Sequence, residues 1–155
     1  MKTILIINDQ SPEAEHAAWF ALVLAQHIQA NIILANTVVL KMDEPDYGWS
    51  EDLYDDIIAE PVHSLLMRKL RCRIKLQSGF FPKIQEIELA DDPESIFFLA
   101  ARNDIYMVVK GMNEFLPQAL LHVNLCINTL INKLQVPLLL VPSSWKEKGF
   151  KRLVY

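Results

Sequence analysis

Glycine is scarce in this chain, with four glycines among 155 residues. Gly111 is the only glycine between Gly79 and Gly149. Loops that bind phosphate commonly carry several glycines, because a residue without a Cβ lets backbone N–H groups approach the ligand. Gly111 directly follows an apolar run, where many α/β proteins place such a loop. A single glycine is weak support for a phosphate loop at this position.

Cysteine is also scarce, and long apolar runs and an excess of positive charge are missing. Cys72 and Cys126 lie far apart in the sequence, which favours reduced, buried thiols over a disulfide framework. The first apolar run, residues 4–7, is too short for a signal peptide or a membrane span and favours a cytoplasmic location. A net charge of −4 gives no general attraction to nucleic acid or to an anionic membrane.

The order of apolar segments predicts one α/β domain. Short, β-branched apolar runs are typical of strands that are covered on both faces, and segments with helical spacing lie between them. Ser11 and Pro12 predict the start of the first helix, and Asp92 and Pro93 the start of another. We expect an open, doubly wound parallel sheet with helices on both faces. The five predicted strands are residues 3–7, 31–40, 83–89, 105–109 and 136–142.

The apolar faces of the predicted helices indicate which residues enter the core. The first helix contributes Ala17, Phe20, Ala21, Leu24 and Ile28. The remaining helices contribute Leu65, Leu66, Leu70, Ile74, Ile96, Phe97, Ala100, Ala101, Leu120, Val123, Ile127, Leu130, Ile131 and Leu134.

Ligands of such sheets bind at the carboxyl ends of the strands, near the point where the strand order switches. This rule points to residues 9–11 after the first strand and residues 110–114 after the fourth. Asp9 could contact a nucleotide base, or it could be a turn residue that bonds its own backbone, which we favour. Ser11 is interpreted as a helix cap, because no His–Asp pair lies at a spacing that would make it a nucleophile.

Charge is distributed unevenly in the middle of the chain. Eight of the nineteen acidic residues lie within residues 43–60, with no basic residue among them, and a basic cluster follows at residues 68–75. The acids lack the spacing of a calcium loop, and no histidine pairs with cysteine or carboxylate at metal spacing, so no metal site is predicted. We interpret both segments as solvated. The alternatives for the basic cluster are a contact with phosphate and a contact with the acidic segment of a neighbouring copy.

Three stretches resemble the universal stress protein family, and together they span residues 2–142. ILIINDQSPEAEHAAWFALVLA resembles the family's first strand, its Asp-x-Ser turn and its Ala-rich first helix. ADDPESIFFLAARNDIYMVVKG resembles its third helix and fourth strand, and NTLINKLQVPLLLVP its last helix and proline-led last strand. The resemblance implies a five-stranded parallel sheet in the order 3-2-1-4-5, and commonly a dimer.

Some members of that family bind ATP through an Asp at the end of the first strand and a Gly-x2-Gly-x9-Gly-Ser/Thr pattern after the fourth. Asp9 matches the Asp and Gly111 the first glycine. The other three positions hold Glu114, Asn124 and Leu125, and Glu114 would add a negative charge beside the phosphates. We therefore expect no cofactor and no ATP binding of the family's type, with ATP or AMP as the alternative.

Residues 150–155, FKRLVY, are similar to residues 1–6, MKTILI, since both place a basic residue before a short apolar run. Tandem members of the family begin a second domain in this way. We expect a stress-protein-like domain over residues 1–143 and a basic linker or tail over residues 144–155, either an ordinary tail or edge strand or the start of a second domain.

Three functional hypotheses follow. The first is a non-catalytic stress-response domain that acts by association, as a homodimer or with a tandem partner, through its apolar fifth strand. The second is a sensor for a nucleotide or another small ligand, with Asp9, Thr37, Lys110 and Gly111 as candidate contacts. The third is an enzyme, which we do not favour because no base, nucleophile and anion hole converge.

Overall fold

The computed structural model describes residues 1–38, 64–75, 79–90, 92–112 and 127–146. Strands and helices alternate along these ranges. All strand pairs are parallel, in the order β3-β2-β1-β4-β5, so the predicted sheet and its strand order are confirmed. The elements are β1 (Thr3–Asn8), α1 (Pro12–Ile28), β2 (Asn31–Val38), α2 (Leu65–Lys75), β3 (Ile84–Ala90), α3 (Pro93–Ala100), β4 (Ile105–Met112), α4 (Ile127–Lys133) and β5 (Leu138–Pro142).

Several sequence predictions concern residues outside the described ranges. They are the acidic segment 43–60, the positions Glu114, Asn124 and Leu125, the thiol of Cys126, the helical residues Leu120 and Val123, and residues 147–155.

The central strand β1 is buried along its whole length and supplies side chains to a core on each face of the sheet. Ile4 and Ile6 pack among residues of α1 and α2 on one face. Leu5 and Ile7 pack among residues of α3 and α4 on the other. Because successive side chains of a strand point to opposite faces, an unbroken apolar run is what a doubly covered strand needs.

Helix α1 begins as the sequence predicts. The Ser11 hydroxyl accepts a hydrogen bond from the backbone N–H of Ala14 at 3.1 Å, and Pro12 occupies the first turn. Gln29 ends the helix in the left-handed conformation, with φ 55°. Asp92 caps α3 in the same manner as Ser11 caps α1.

Some residues predicted to be buried are exposed. Leu65, 67% exposed, is the first residue of α2, and Ala101 lies just beyond α3, so neither is held against the sheet. Ile131 is 56% exposed because its neighbour Leu130 takes the core position, and consecutive helical residues point about 100° apart. The prediction of a buried Cys72 thiol is also wrong, since Cys72 lies on the outer face of α2.

Residues that follow β5 fold back onto α1. The Trp145 ring packs edge-on against His16 and Phe20, with centroid distances of 5.3 Å and 4.9 Å. The domain boundary at residue 143 stays a prediction, but the described residues just beyond it contact the body of the domain. Within the described ranges, no helix combines the length and apolar character that crossing a membrane requires.

Candidate functional site

Asp9 and Lys110, which lie 101 positions apart in sequence, form an ion pair at the carboxyl ends of β1 and β4. Oδ2 of Asp9 lies 3.2 Å from Nζ of Lys110. Oδ1 of Asp9 accepts hydrogen bonds from the backbone N–H of Ser11, at 3.1 Å, and from the Ser11 hydroxyl. Both carboxylate oxygens are therefore engaged within the chain, as the turn interpretation of Asp9 predicts.

The ion pair sets the charge state of this site. The side chain of Lys110 is 3% exposed and that of Asp9 25%. Burial alone would raise the pKa of Asp9, but the nearby Lys110 ammonium and the hydrogen bonds from Ser11 outweigh it, so the pKa lies below its ordinary value. Asp9 is ionised at neutral pH and balances a cation that would otherwise be buried alone.

The position of Gly111 directly after an apolar run predicted a loop after β4, and this prediction is wrong. Gly111 lies within that strand and pairs in register with Val141 of β5. A Cβ at this position would lie 2.2 Å from the carbonyl oxygen of Glu13, in the first turn of α1. The glycine is needed because the backbone of α1 passes this close to the sheet, and its φ is not in the left-handed region.

Thr37, the remaining candidate contact, is buried on β2, and its hydroxyl lies 3.5 Å from the carbonyl oxygen of Asn8. By strand alternation Lys110 lies on the same face of the sheet as Val108, which packs in the α3–α4 core. Gly111 faces α1 on the opposite side. Of the four predicted contacts, the structure brings Asp9 and Lys110 together and turns Gly111 away from them.

Sequence reasoning missed a chain of buried and half-buried polar side chains on the α1–α2 face. Asn8 donates to Oδ1 of Asn36 at 2.6 Å, and Asn36 donates to Oε1 of Glu86 at 2.7 Å. Glu86 in turn accepts from the backbone N–H of Ser64, at the start of α2. This chain joins three strands and one helix. The sequence did offer one signal for this contact, an asparagine near the end of each of two apolar runs. These residues, Asn8 and Asn36, are register partners in neighbouring strands.

A cavity of about 390 Å³ opens beside this polar chain, between the beginnings of α1 and α2. Its volume lies within the range of small-molecule sites, roughly 300–1,000 Å³. Gln10, which lines it, has a left-handed φ of 64°. The described lining contains no basic side chain, and it consists of Asn8, Gln10, Ser11, Glu15, Ser64, Leu65 and Leu66.

The described residues offer little for catalysis. The Ser11 hydroxyl donates to Asp9 and accepts from Ala14, which are the bonds of a helix cap. In the described part of the chain, His, Cys, Asp and Glu side chains do not gather in groups of three that could hold a metal ion. The arrangement at the ends of β1 and β4 is suited to holding the sheet and α1 together.

Comparison with solved structures shows which proteins share this fold. A universal stress protein in complex with cAMP superposes with a TM-score of 0.60 at 16% identity, over 92% of this chain and 98% of that one. A member of the same family from Burkholderia pseudomallei gives 0.57 at 20% identity, over 92% and 96%. One from Archaeoglobus fulgidus gives 0.57 at 18%, over 90% and 93%.

No family model matches the sequence, and no curated protein does. At these identities the likeness establishes the fold alone.

Proposed function

We propose that this chain, which has the fold of the universal stress proteins, is a non-catalytic domain of the stress response in the cytoplasm. It acts by association with a second copy or with a tandem domain, and it does not bind ATP in the way that the glycine-rich members do. The observation that carries the proposal is the state of Asp9, whose two carboxylate oxygens are both bonded within the chain.

A nucleotide that used Asp9 would have to compete with Lys110 and Ser11 for the carboxylate. Breaking the ion pair would leave the Lys110 ammonium buried without its partner, a change that typically costs about 3–5 kcal/mol. Gly111 offers the nucleotide no contact that would offset this cost, because the backbone of Glu13 occupies the space beside its Cα. The site is therefore better suited to stability than to nucleotide exchange.

Association is supported by the edge strand β5. Val108 donates its N–H to the carbonyl of Pro137, and Ser143 donates to that of Met112, so odd-numbered residues of β5 face β4. By alternation the N–H groups of Leu138 and Leu140 point to the free edge of the described sheet. An apolar edge strand with unpaired backbone groups is suited to pairing with another copy.

A ligand sensor is the second candidate, and the cavity of about 390 Å³ beside Asn8 and Ser64 favours it. One structure with the same fold holds cAMP, which makes cyclic and linear adenine nucleotides the first compounds to test. A carboxylate, Glu15, lines this cavity, so a ligand with several negative charges would be repelled unless Lys69, its ion-pair partner, moved toward the ligand.

The test is thermal unfolding of the native chain with millimolar Mg-ATP, AMP or cAMP. A ligand present at 100 times its Kd adds about 2.7 kcal/mol of stability, which raises the Tm of a domain of this size by several degrees. We expect no rise with any of the three. A stress protein that carries the complete glycine motif serves as the positive control. A rise with Mg-ATP that Asp9→Asn abolishes would overturn the proposal, and a rise with cAMP would favour the sensor.

A further inference from the structure

Three cations form an exposed row along the outer face of α2. Arg68, Arg71 and Lys75 are all exposed, and their spacing of three and four residues places them on one side of the helix. We call these residues the basic stripe. Leu65, 67% exposed, extends the same face at the start of the helix. The result is a positively charged helix face with an apolar side chain at one end.

The two other cations of α2 already have partners. Nζ of Lys69 lies 2.7 Å from Oε1 of Glu15 on α1. The guanidinium of Arg73 lies over the ring of Trp19, 5.0 Å from its centroid. Among the described residues, by contrast, the side chains of the basic stripe have no acidic partner. Like charges spaced three and four residues apart on a helix repel each other, so an acidic partner would stabilise this face.

The chain itself carries a segment of complementary charge. Residues 43–60 contain eight acidic residues and no basic residue, and they end shortly before α2 begins. They also contain Tyr47, Trp49 and Leu53, which could contact the exposed Leu65. The acidic side chains of this segment complement the charge of the basic stripe, and its apolar side chains complement Leu65.

The direction of α2 favours a contact between two copies. The acidic segment precedes α2, whereas Lys75 lies ten residues beyond Leu65, about 15 Å along the helix at 1.5 Å per residue. In a pair related by a two-fold axis, antiparallel α2 helices bring the Lys75 end of each copy to the start of the other α2, which the acidic segment of that copy precedes in sequence. Such an isologous contact forms twice.

We propose that the basic stripe binds the acidic segment, residues 43–60, of a second copy of this chain. The contact is separate from the association through β5, because α2 packs against α1 and β3, and β3 forms the opposite edge of the sheet from β5. A chain with both surfaces could form assemblies larger than a dimer.

A charge-swap experiment tests the proposal. One variant reverses the basic stripe, with Arg68→Glu, Arg71→Glu and Lys75→Glu. The other reverses the acidic segment, with Glu51→Lys, Asp55→Lys and Asp56→Lys. Both carry Leu140→Pro to remove the β5 contact, so that the result does not depend on the proposed function. Association is measured by sedimentation velocity at about 50 mM and about 500 mM salt, conditions that differ strongly in charge screening.

We expect the Leu140→Pro parent to associate at low salt, and each reversed variant alone to associate about tenfold to a hundredfold more weakly, as six surface ion pairs would allow. An equal mixture of the two variants should associate again, because the reversed stripe then meets residues 51–56, which the substitutions make net positive, while the native stripe meets a native acidic segment. The control for the reversed stripe is a chain with Lys2→Glu, Lys83→Glu and Lys133→Glu, which lowers the net charge by the same amount at exposed lysines elsewhere. It should associate as the parent does.

Two results would overturn the proposal. In the first, the mixture of the two variants does not associate. In addition, each set of reversals lowers the free energy of unfolding, and a single chain that carries both sets regains it. The acidic segment would then bind within its own chain. In the second, neither salt nor charge reversal changes the association or the stability, and the stripe is a solvated helix face.

Discussion

At the scale of single residues, Gly111 is required by the close approach of α1 and not by a turn. An alanine Cβ would lie 2.2 Å from the Glu13 carbonyl oxygen, which belongs to the helix backbone and cannot rotate away. We expect Gly111→Ala to lower the free energy of unfolding by about 1–3 kcal/mol, the usual cost of overpacking. Urea denaturation measures the change.

Gly79→Ala is the matched control for this variant. Gly79 has open space around its Cβ position but a φ of +120°, so the substitution tests backbone conformation without steric overlap. Hydrogen exchange separates the two effects. Gly111→Ala should speed exchange in the first turn of α1, and Gly79→Ala should not. Unchanged exchange in that turn would show that the helix does not need this glycine.

The Asp9–Lys110 pair should behave as one unit in a double-mutant cycle. Asp9→Asn leaves the buried ammonium without its counter-charge, so we expect a loss of about 3–5 kcal/mol. Lys110→Met removes that charge, and the double variant should be more stable than the sum of the single changes predicts, by about 1–3 kcal/mol. Additive losses in urea denaturation would mean that the two side chains do not interact.

The same pair makes stability depend on pH in the acid range. Because the pKa of Asp9 is lower in the folded chain than in the unfolded one, its contribution is complete above the unfolded value of about 3.8. The contribution is lost as the pH falls through the lower folded value. We expect Asp9→Asn to reduce the loss of stability between about pH 5 and pH 2 relative to the native chain. Parallel stability curves for the two chains would argue against this assignment.

At the scale of elements, Glu86 holds the start of α2 to the sheet. It accepts hydrogen bonds from the Ser64 N–H and from Asn36, so Glu86→Ala should loosen the first turn of α2. Glu88→Ala is the control, because Glu88 lies two residues further along the same strand but is exposed. Hydrogen exchange in α2 should rise for Glu86→Ala alone. An equal rise in both variants would mean that β3 itself had been weakened.

The elements were largely predictable, because each depends on a local pattern. The apolar run of β1 and the Ser11–Pro12 start of α1 are readable from adjacent residues, and the strand order came from the family resemblance. The contacts between elements were not predictable in the same way. The pairing of Asp9 with Lys110 joins distant positions, and a strand glycine looks the same in sequence whether it serves a turn or a close approach.

At the scale of the whole molecule, the described sheet has two different edges. β3 and β5 are its edge strands. β3 has the charged residues Glu86 and Glu88, whereas the described residues of β5 are four apolar ones followed by Pro142. Charged side chains discourage pairing at an edge, so β5 is the more suitable surface for association along its leucines, up to Pro142, which has no N–H to donate.

Leu140→Pro tests the association through β5. Proline removes the N–H that points to the free edge and leaves the bonds of β5 to β4 in place, as is tolerated in edge strands. We expect the proline variant to lose its salt-insensitive association in sedimentation at high salt while it unfolds cooperatively. Leu140→Ala is the matched control, because it also loses the leucine side chain but keeps the N–H, and it should retain more of the association. If the native chain is monomeric at every concentration, or if Leu140→Pro associates as the native chain does, then β5 is not the interface.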